Sequence, residues 1–200
     1  MAQDSSKPAF WESRYRDKII PWDAGKVPAA LRAFEPTIAR GARILIPGCG
    51  SGYEAAYLAG KGFDVLAIDF SPAAVAAARK NLGTLADIVR LADFFDFAPG
   101  PPFDVIYERA FLCALPRKMW GGYSDRCAEL LKPEGVIAGF FFFADSLKGP
   151  PFGTSPAELD ALFKPHFERI DDRPVADSIQ VFAGKERWQV WRKPQKPQKP

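Results

Sequence analysis

Short apolar runs alternate with amphipathic stretches along the chain from Gly41 onward. Apolar runs bounded by turn residues are typical of buried strands, and the four consecutive phenylalanines at residues 140–143 are typical of a central strand buried on both faces. The pattern predicts seven strands, at residues 43–47, 63–69, 88–91, 103–107, 136–143, 167–171 and 178–191.

Helical stretches separate most of these strands and have recognisable ends. Ser71 and Ser155 each precede a proline, which is the order of an N-cap residue and a first helical residue, and Pro133 follows another helical stretch. The helices are predicted at residues 53–61, 72–81, 118–131 and 155–163, and two more near residues 8–17 and 28–39, joined by the loop IIPWDAG.

The order of these elements predicts the architecture. Strands that alternate with helices form βαβ units and a mostly parallel sheet, and the short connection around RPVAD indicates that the last two strands form an antiparallel addition at one edge. We predict one α/β domain over residues 1–192, with a seven-stranded sheet, helices on both faces and a helical cover from residues 1–40. Residues 193–200 are predicted to form a flexible Lys/Pro/Gln tail.

Composition and charge disfavour several classes of protein. Apolar residues make up 48% and charged residues 26% of the 200 residues, which suits a single globular domain. The net charge of +3 equals the charge of three tail lysines, Lys193, Lys196 and Lys199, so the rest of the chain lacks the basic face of a nucleic-acid enzyme. No apolar run reaches the ~20 residues of a membrane span, and the first residues lack the layout of a signal peptide. We expect a cytoplasmic monomer without nucleic-acid or membrane partners.

The cysteines and the single histidine disfavour a metal centre. Cys49, Cys113 and Cys127 are odd in number and form no CxxC motif, so we expect neither a disulfide framework nor a zinc site. Cys113 is expected to be a small buried apolar residue, and His166 to be structural or exposed.

A glycine-rich turn follows the first predicted strand and precedes a helix. Gly48, Gly50 and Gly52 permit a tight turn and close approach of a ligand to the backbone, and the helix offers free N–H groups. Asp69 ends the next strand, 19 residues after Gly50, where a doubly wound fold places an acid that accepts hydrogen bonds from ribose hydroxyls. A dinucleotide-binding motif needs a third glycine where Tyr53 stands, so the pattern favours a nucleoside ligand over NAD or FAD.

A second acid follows the third strand, at the same edge of the sheet. Asp93 is placed to accept a hydrogen bond from an adenine amino group, with Phe94 against the ring. The alternative is that Asp93 only caps a turn.

Several segments occur in the order typical of class I S-adenosylmethionine-dependent methyltransferases: IPGCGSGYE, LAIDFS, ADFFDF, FDVIYERAFLCALP, LLKPEGVI and GPPF. Together with the entry segment FWESRYRDKIIPWDAGKVP, they make the chain resemble the thiopurine methyltransferase superfamily, especially its thiol and halide branch, over residues 10–192. The resemblance implies a Rossmann-like fold, S-adenosylmethionine as cofactor without a metal, and methyl transfer to a small-molecule thiol or thiopurine sulfur, with selenium or halide as variants. An O- or N-methyltransferase of a small metabolite and a cofactor-binding protein without turnover are the alternatives.

The resemblance also assigns residues to the site. Glu108 and Arg109 would face the reactive methyl group. From the chemistry of thiol methylation we further expect Arg109 to favour a thiolate by its charge and Asp23 to relay a proton. GPPF at residues 149–152 forms either a pocket wall or a Pro-rich turn. The residues expected to bind the cofactor are Trp11, Tyr15, Trp22, Gly48, Gly50, Asp69, Phe70, Asp93, Phe94 and Glu108.

Two positions depart from the pattern of the superfamily. Tyr15 stands where relatives often carry Trp, and Glu108–Arg109 resembles the Asp-Arg pair of the thiopurine enzymes more than the Asp-Tyr pair of the plant thiol enzymes. The second departure leaves the methyl acceptor open.

Overall fold

A computed structural model describes residues 4–195 of the chain. Its centre is a seven-stranded sheet in the order β3-β2-β1-β4-β5-β7-β6. Strands β1 to β5 are parallel, and β7 runs antiparallel to both of its neighbours, β5 and β6. The strands are β1 (Arg43–Pro47), β2 (Asp64–Asp69), β3 (Val89–Leu91), β4 (Phe103–Arg109), β5 (Leu131–Phe142), β6 (Glu168–Pro174) and β7 (Glu186–Arg192). The predicted mostly parallel α/β fold is confirmed.

Six α-helices accompany the sheet in the described part of the chain. Two of them begin as predicted: the Ser71 hydroxyl accepts a hydrogen bond from the amide of Ala74, and Ser155 forms a reciprocal capping box with Glu158. The helices are α1 (Pro8–Arg16), α2 (Ala29–Phe34), α3 (Tyr53–Gly60), α4 (Pro72–Leu82), α5 (Trp120–Leu130) and α6 (Pro156–Phe163). Over residues 4–195, none is long and apolar enough to cross a membrane.

Each face of the sheet carries its own core, because side chains alternate along a strand. In β1, Ile44 and Ile46 pack with α2, α3 and α4, whereas Leu45 packs on the opposite face with α5 and α6. Both faces of the central strands are therefore covered, which explains their continuous apolar sequences.

Two elements are shorter than the sequence predicts. The second helix ends at Phe34 and continues as a single 3-10 turn, since Pro36 has no N–H for the helical ladder. The predicted strand at 178–191 forms only over Glu186–Arg192, and residues 180–185 are a turn. The apolar side chain of Phe182 in this turn packs against Phe142 rather than extending the strand, so its hydrophobicity reflects tertiary packing.

The end of the folded domain differs from the prediction. The ammonium of Lys193 donates hydrogen bonds to the carbonyls of Ala128 and Leu131 at 2.5 and 2.7 Å, and its backbone pairs with Glu134 and Gly135. A cation that binds carbonyls at the end of a helix is held in place, so Lys193 belongs to the domain and the predicted tail boundary is wrong. Residues 196–200 of the predicted tail lie outside the described residues.

Candidate active site

A cavity of about 380 Å³ opens at the carboxyl ends of the parallel strands, where the strand order reverses between β1 and β4. This is where doubly wound sheets bind ligands, and the volume is that of a small-molecule site. Of the twelve residues expected in the site, eleven line the cavity: Trp11, Tyr15, Trp22, Asp23, Gly48, Gly50, Asp69, Phe70, Asp93, Phe94 and Arg109.

The glycine-rich turn forms the floor of the cavity between β1 and α3. Gly48 and Gly50 have φ values of 58° and 53°, in the left-handed region that favours glycine. A Cβ atom at Gly48 would lie 2.4 Å from Cδ2 of Phe111, and one at Gly50 would lie 2.5 Å from the hydroxyl oxygen of Tyr15. The turn therefore requires glycine both for its conformation and for the close approach of neighbouring rings.

Asp69 connects this turn to the next loop. One carboxylate oxygen accepts a hydrogen bond from the amide of Gly50 at 3.1 Å, and the other accepts one from the amide of Ser71 at 2.9 Å. Burial raises the pKa of Asp69 to about 6, although both amide donors act in the opposite direction. Neighbouring Phe70 is half-buried.

Asp93 and Phe94 lie beside Asp69 at the same edge of the sheet. One oxygen of Asp93 accepts a hydrogen bond from the amide of Phe95 at 2.9 Å, so Asp93 does cap a turn while it also lines the cavity. Phe94 is buried against the rings of Phe111 and Tyr123. We call the group of Asp69, Phe70, Asp93 and Phe94 the nucleoside end of the cavity.

Aromatic side chains of the entry segment cover the cavity. Trp22 packs edge to face with Trp11 and with Tyr15, at centroid distances of 5.3 and 6.3 Å. Burial raises the pKa of the Tyr15 hydroxyl, which keeps it protonated at neutral pH.

Glu12 anchors this cover, and the sequence analysis missed it. Its carboxylate accepts hydrogen bonds from the Ser71 hydroxyl and the Ala73 amide, both at 2.8 Å, at the N-terminus of α4. These hydrogen bonds lower the pKa of Glu12. In the sequence, Glu12 is marked by being the single acidic residue in the basic and aromatic stretch PAFWESRYR.

Asp23 ties the loop after α1 to the glycine-rich turn. One of its oxygens accepts a hydrogen bond from the Gly25 amide at 2.8 Å, and the other accepts one from the Ser51 hydroxyl. These two hydrogen bonds hold the loop on the glycine-rich turn, and the proton relay expected for Asp23 stays a prediction.

Arg109 is held at the other side of the cavity. Its guanidinium donates to Glu186 at 3.2 Å and lies over the ring of Phe140, 4.1 Å from the centroid, and within 5.8 Å of Phe182. The Arg109 and Glu186 side chains are only 12% and 3% exposed, so the positive charge is largely balanced by a buried carboxylate.

Glu108 does not line the cavity, contrary to the prediction. One of its oxygens accepts hydrogen bonds from the amides of Phe111 and Leu112 at 2.8 and 3.0 Å, and the other accepts one from the Tyr123 hydroxyl at 2.7 Å. Alternation along β4 directs Tyr107 and Arg109 to the cavity and Glu108 to the opposite face. Glu108 therefore fixes the turn after β4 from the face of the strand that points away from the cavity.

Three further cavity residues were not singled out from the sequence. Glu54, in the first turn of α3, is half-buried, and this burial raises the pKa of its carboxyl group, whereas the charge of Arg109 acts in the opposite direction. The buried hydroxyls of Tyr107 and Ser5 have no hydrogen-bond partner of ordinary geometry among residues 4–195. Buried hydroxyls that face a cavity without partners fit a polar ligand. The sequence signal for Glu54 was an acid at the helix start directly after the glycines.

Cys113 and the GPPF segment lie at the cavity, whereas His166 lies elsewhere. Cys113 is buried and lines the cavity, where burial raises the pKa of its thiol. Pro150 and Pro151 of the GPPF segment also line it, so this segment is part of the pocket wall. His166 pairs with Asp125 at 2.8 Å, away from the cavity. We call the group of Glu54, Tyr107, Arg109, Cys113 and Phe182 the arginine end of the cavity.

Among residues 4–195, no group of His, Cys, Asp and Glu side chains is arranged to hold a metal ion. The donor set of the cavity is instead suited to an organic ligand that carries hydroxyl and amino groups.

The fold and the nucleoside end define a Rossmann-like protein of the class I methyltransferase type. The family model described as thiopurine S-methyltransferase (TPMT) matches residues 6–196, so the chain belongs to the thiopurine S-methyltransferase family. The predicted family, the S-adenosylmethionine-dependent methyltransferase activity and the cofactor are thereby confirmed.

Individual relatives agree with this membership. The chain is 30% identical over 200 residues to the probable thiol methyltransferase 2 of Arabidopsis thaliana, covering 96% of this chain and 88% of the relative. It is 29% identical to the thiopurine S-methyltransferase of Xanthobacter autotrophicus, covering 86% and 92%. A crystal structure of the Burkholderia thailandensis 1,6-didemethyltoxoflavin-N1-methyltransferase, at 22% identity, superposes with a TM-score of 0.73 over 94% of this chain and 87% of that one, and shows the same fold.

Proposed function

We propose that the protein transfers the methyl group of S-adenosylmethionine to the sulfur of a small-molecule thiol or thiopurine. The observation that carries the proposal is one cavity that joins a nucleoside end to an arginine end beneath an aromatic cover. Relatives named as thiol and thiopurine methyltransferases support a sulfur acceptor.

The nucleoside end is proposed to hold the cofactor. Asp69 accepts hydrogen bonds from the ribose hydroxyls, Asp93 binds the adenine amino group, and Phe94 supports the ring. Backbone atoms of Gly48 and Gly50 face the methionine portion, with Tyr15 above them. When bound, the cofactor supplies a methyl group on a positively charged sulfur, which is lost to a nucleophile as the sulfur becomes neutral.

The arginine end is proposed to receive the methyl acceptor. Apolar walls from Trp22, Pro151 and Phe182 exclude water, which leaves a soft sulfur nucleophile less solvated and more reactive. Fixing the acceptor in line with the methyl group supplies a further part of the rate enhancement. Arg109 contributes positive charge beside the developing thiolate, and Asp23 holds the covering loop on the glycine-rich turn.

The protein is further proposed to act as a cytoplasmic monomer on a small molecule. The cavity is lined by residues of one chain, and all three cysteines are free and buried, as is common where thiols stay reduced. Sedimentation at several protein concentrations tests the monomer, since a dimer would raise the measured mass.

The reaction class is tested with methyl-labelled S-adenosylmethionine and a mixed panel of thiols, thiopurines, halides and catechols, followed by mass spectrometry of the products. We expect labelled thioethers, whose yields rank the acceptors by fit to the cavity. Label found only on oxygen or nitrogen would contradict the proposal while leaving the methyltransferase activity intact.

A further inference from the structure

Glu54 is one of four acidic side chains that line the cavity, with Asp23, Asp69 and Asp93, and it has no role in the cofactor recognition proposed above. It lies in the first turn of α3 and lines the cavity, and the buried hydroxyl of Tyr107 on β4 lies beside it. Arg109, two residues further along the same strand, also acts electrostatically on Glu54. A carboxylate, a phenol and a guanidinium therefore converge at the arginine end.

We propose that Glu54 is the catalytic base that removes the proton from a neutral thiol acceptor, and that the site therefore prefers protonated thiols to acceptors that are permanent anions. The inference rests on the proposed function and narrows its substrate class. The proposed role of Glu54 is limited to acceptors that carry a proton. A halide or thiocyanate ion has no proton to lose and needs no base.

The balance of charge at this end of the cavity supports the preference. Arg109 is the cation there, and Glu186 already neutralises it at 3.2 Å. Glu54 adds a carboxylate at this end, and Asp23, Arg14 and Lys26 line other parts of the cavity. Beside a permanent anion Glu54 would keep its negative charge and repel it, whereas a neutral thiol would neutralise Glu54 by giving it a proton.

The proposed step moves one proton. The S–H bond of the acceptor breaks, an O–H bond forms at the Glu54 carboxylate, and the electron pair remains on sulfur as a thiolate. The Tyr107 hydroxyl lies beside the Glu54 carboxylate and favours its ionised form, so it is placed to keep Glu54 ready to accept the proton. The proton then returns to solvent when product leaves.

The surroundings of Glu54 suit a base that works near neutral pH. Burial raises the pKa of Glu54, and Asp23 acts in the same direction, whereas Arg109 and the Tyr107 hydroxyl lower it. Cys49, in the glycine-rich turn, also faces it, and its thiol stays protonated because burial raises the pKa of Cys49. A base with a raised pKa accepts a proton from a thiol more readily, and the rate should fall as pH falls through that pKa.

The test compares acceptors that carry a proton with acceptors that do not. Glu54→Gln should lower kcat/KM for an aliphatic thiol such as 2-mercaptoethanol by about 100-fold, the usual contribution of a general base. The same variant should leave kcat/KM for thiocyanate, iodide and the already ionised 4-nitrothiophenol unchanged or raised. Glu54→Asp should restore part of the thiol activity, and Glu129→Gln, on the exposed side of α5, serves as the matched control.

Two measurements do not depend on turnover. The dissociation constant of S-adenosylhomocysteine, measured by calorimetry, should be the same for Glu54→Gln and the original protein. Because an ionised carboxylate disfavours a second negative charge beside it, the ultraviolet thiolate absorbance of 2-mercaptoethanol bound to the S-adenosylhomocysteine complex should appear at higher pH in the original protein than in Glu54→Gln if the carboxylate faces the acceptor sulfur.

An equal loss of activity toward thiols and thiocyanate, or weaker S-adenosylhomocysteine binding that accounts for the loss, would overturn the proposal and make Glu54 a cofactor-binding residue. Thiol methylation that Glu54→Gln leaves intact would overturn it while the proposed function stands. The absence of any thioether from the original protein would refute the proposed function itself.

Discussion

The nucleoside end and the arginine end of the cavity are built in different ways. The nucleoside end consists of two short segments at the ends of β2 and β3, and each contributes two neighbouring residues, next to the glycine-rich turn that follows β1. The arginine end combines α3, β4, the turn after β4 and the turn at residues 180–185, which the sheet brings together from distant parts of the chain. Cofactor recognition is thus locally encoded, whereas the environment of the acceptor depends on the packing of the whole domain.

Substitutions at the two ends should therefore affect different measured quantities. Changes near the cofactor should alter the dissociation constant of S-adenosylhomocysteine. Changes at the arginine end should alter kcat/KM for the acceptor and leave that constant nearly unchanged.

The largest effect is expected at Gly48. In Gly48→Ala, the new Cβ atom would lie 2.4 Å from Cδ2 of Phe111. An alanine would also be strained at the φ value of 58° found at this position. The backbone of the turn must therefore move. We expect S-adenosylhomocysteine affinity to fall by about 100-fold, equivalent to about 3 kcal/mol, in calorimetric titrations.

Gly62→Ala is the matched control for Gly48→Ala. Gly62 has φ of 87°, yet a Cβ there would meet no atom within 4 Å. It should show the backbone strain of about 1–2 kcal/mol in thermal unfolding without a change in affinity. Equal loss of affinity in both variants would mean that strain, and not the close packing of the turn, explains the effect.

An intermediate effect is expected at Arg109. Arg109→Ala should lower kcat/KM for thiols by about 10-fold, or 1.4 kcal/mol, because the thiolate loses a neighbouring positive charge. It should also destabilise the protein by about 3 kcal/mol, since the buried Glu186 carboxylate loses its partner.

The double variant Arg109→Ala/Glu186→Gln separates these two effects. It removes the unpaired charge and should recover most of the stability in chemical denaturation, but not the activity. Full recovery of kcat/KM would assign Arg109 a structural role alone and weaken the contrast between the two ends.

An effect of at most about 10-fold between pH 7.5 and pH 5 is expected at Asp69. Its pKa of about 6 is raised by burial, so the carboxyl group protonates as pH falls through 6 and loses acceptor capacity for ribose hydroxyls. Because hydroxyl donors favour the ionised form, S-adenosylhomocysteine affinity should weaken about 10-fold per pH unit at most below that value. Calorimetry from pH 7.5 to pH 5 should show this decline in the original protein and a flat, weak profile in Asp69→Asn.

The raised pKa of Asp69 has the opposite pH dependence in folding: it favours the folded protein at low pH, whereas it favours cofactor binding at higher pH. A carboxyl group whose pKa is higher in the folded than in the unfolded state stabilises the fold most below its ordinary pKa of 3.8. This contribution is lost as pH rises through about 6. The increase in the free energy of unfolding that cofactor binding produces should therefore be largest above pH 6.

The sequence by itself determined the alternation of strands and helices, both serine caps, the glycine-rich turn and the position of Asp69 at the end of β2. Each of these is set by residues close in the chain: apolar periodicity, proline and glycine conformational limits, and the length of a βα connection. The same local signals placed Asp93 and Phe94 at the nucleoside end.

Only the tertiary structure decided which face of β4 meets the cavity, and therefore that Glu108 supports a turn while Tyr107 and Arg109 reach the site. It likewise paired Arg109 with Glu186, brought Glu54 beside Tyr107, and joined Lys193 to the end of α5. These arrangements depend on the register and packing of elements distant in sequence, which change the burial and charge of a residue without leaving a mark on its neighbours in the chain.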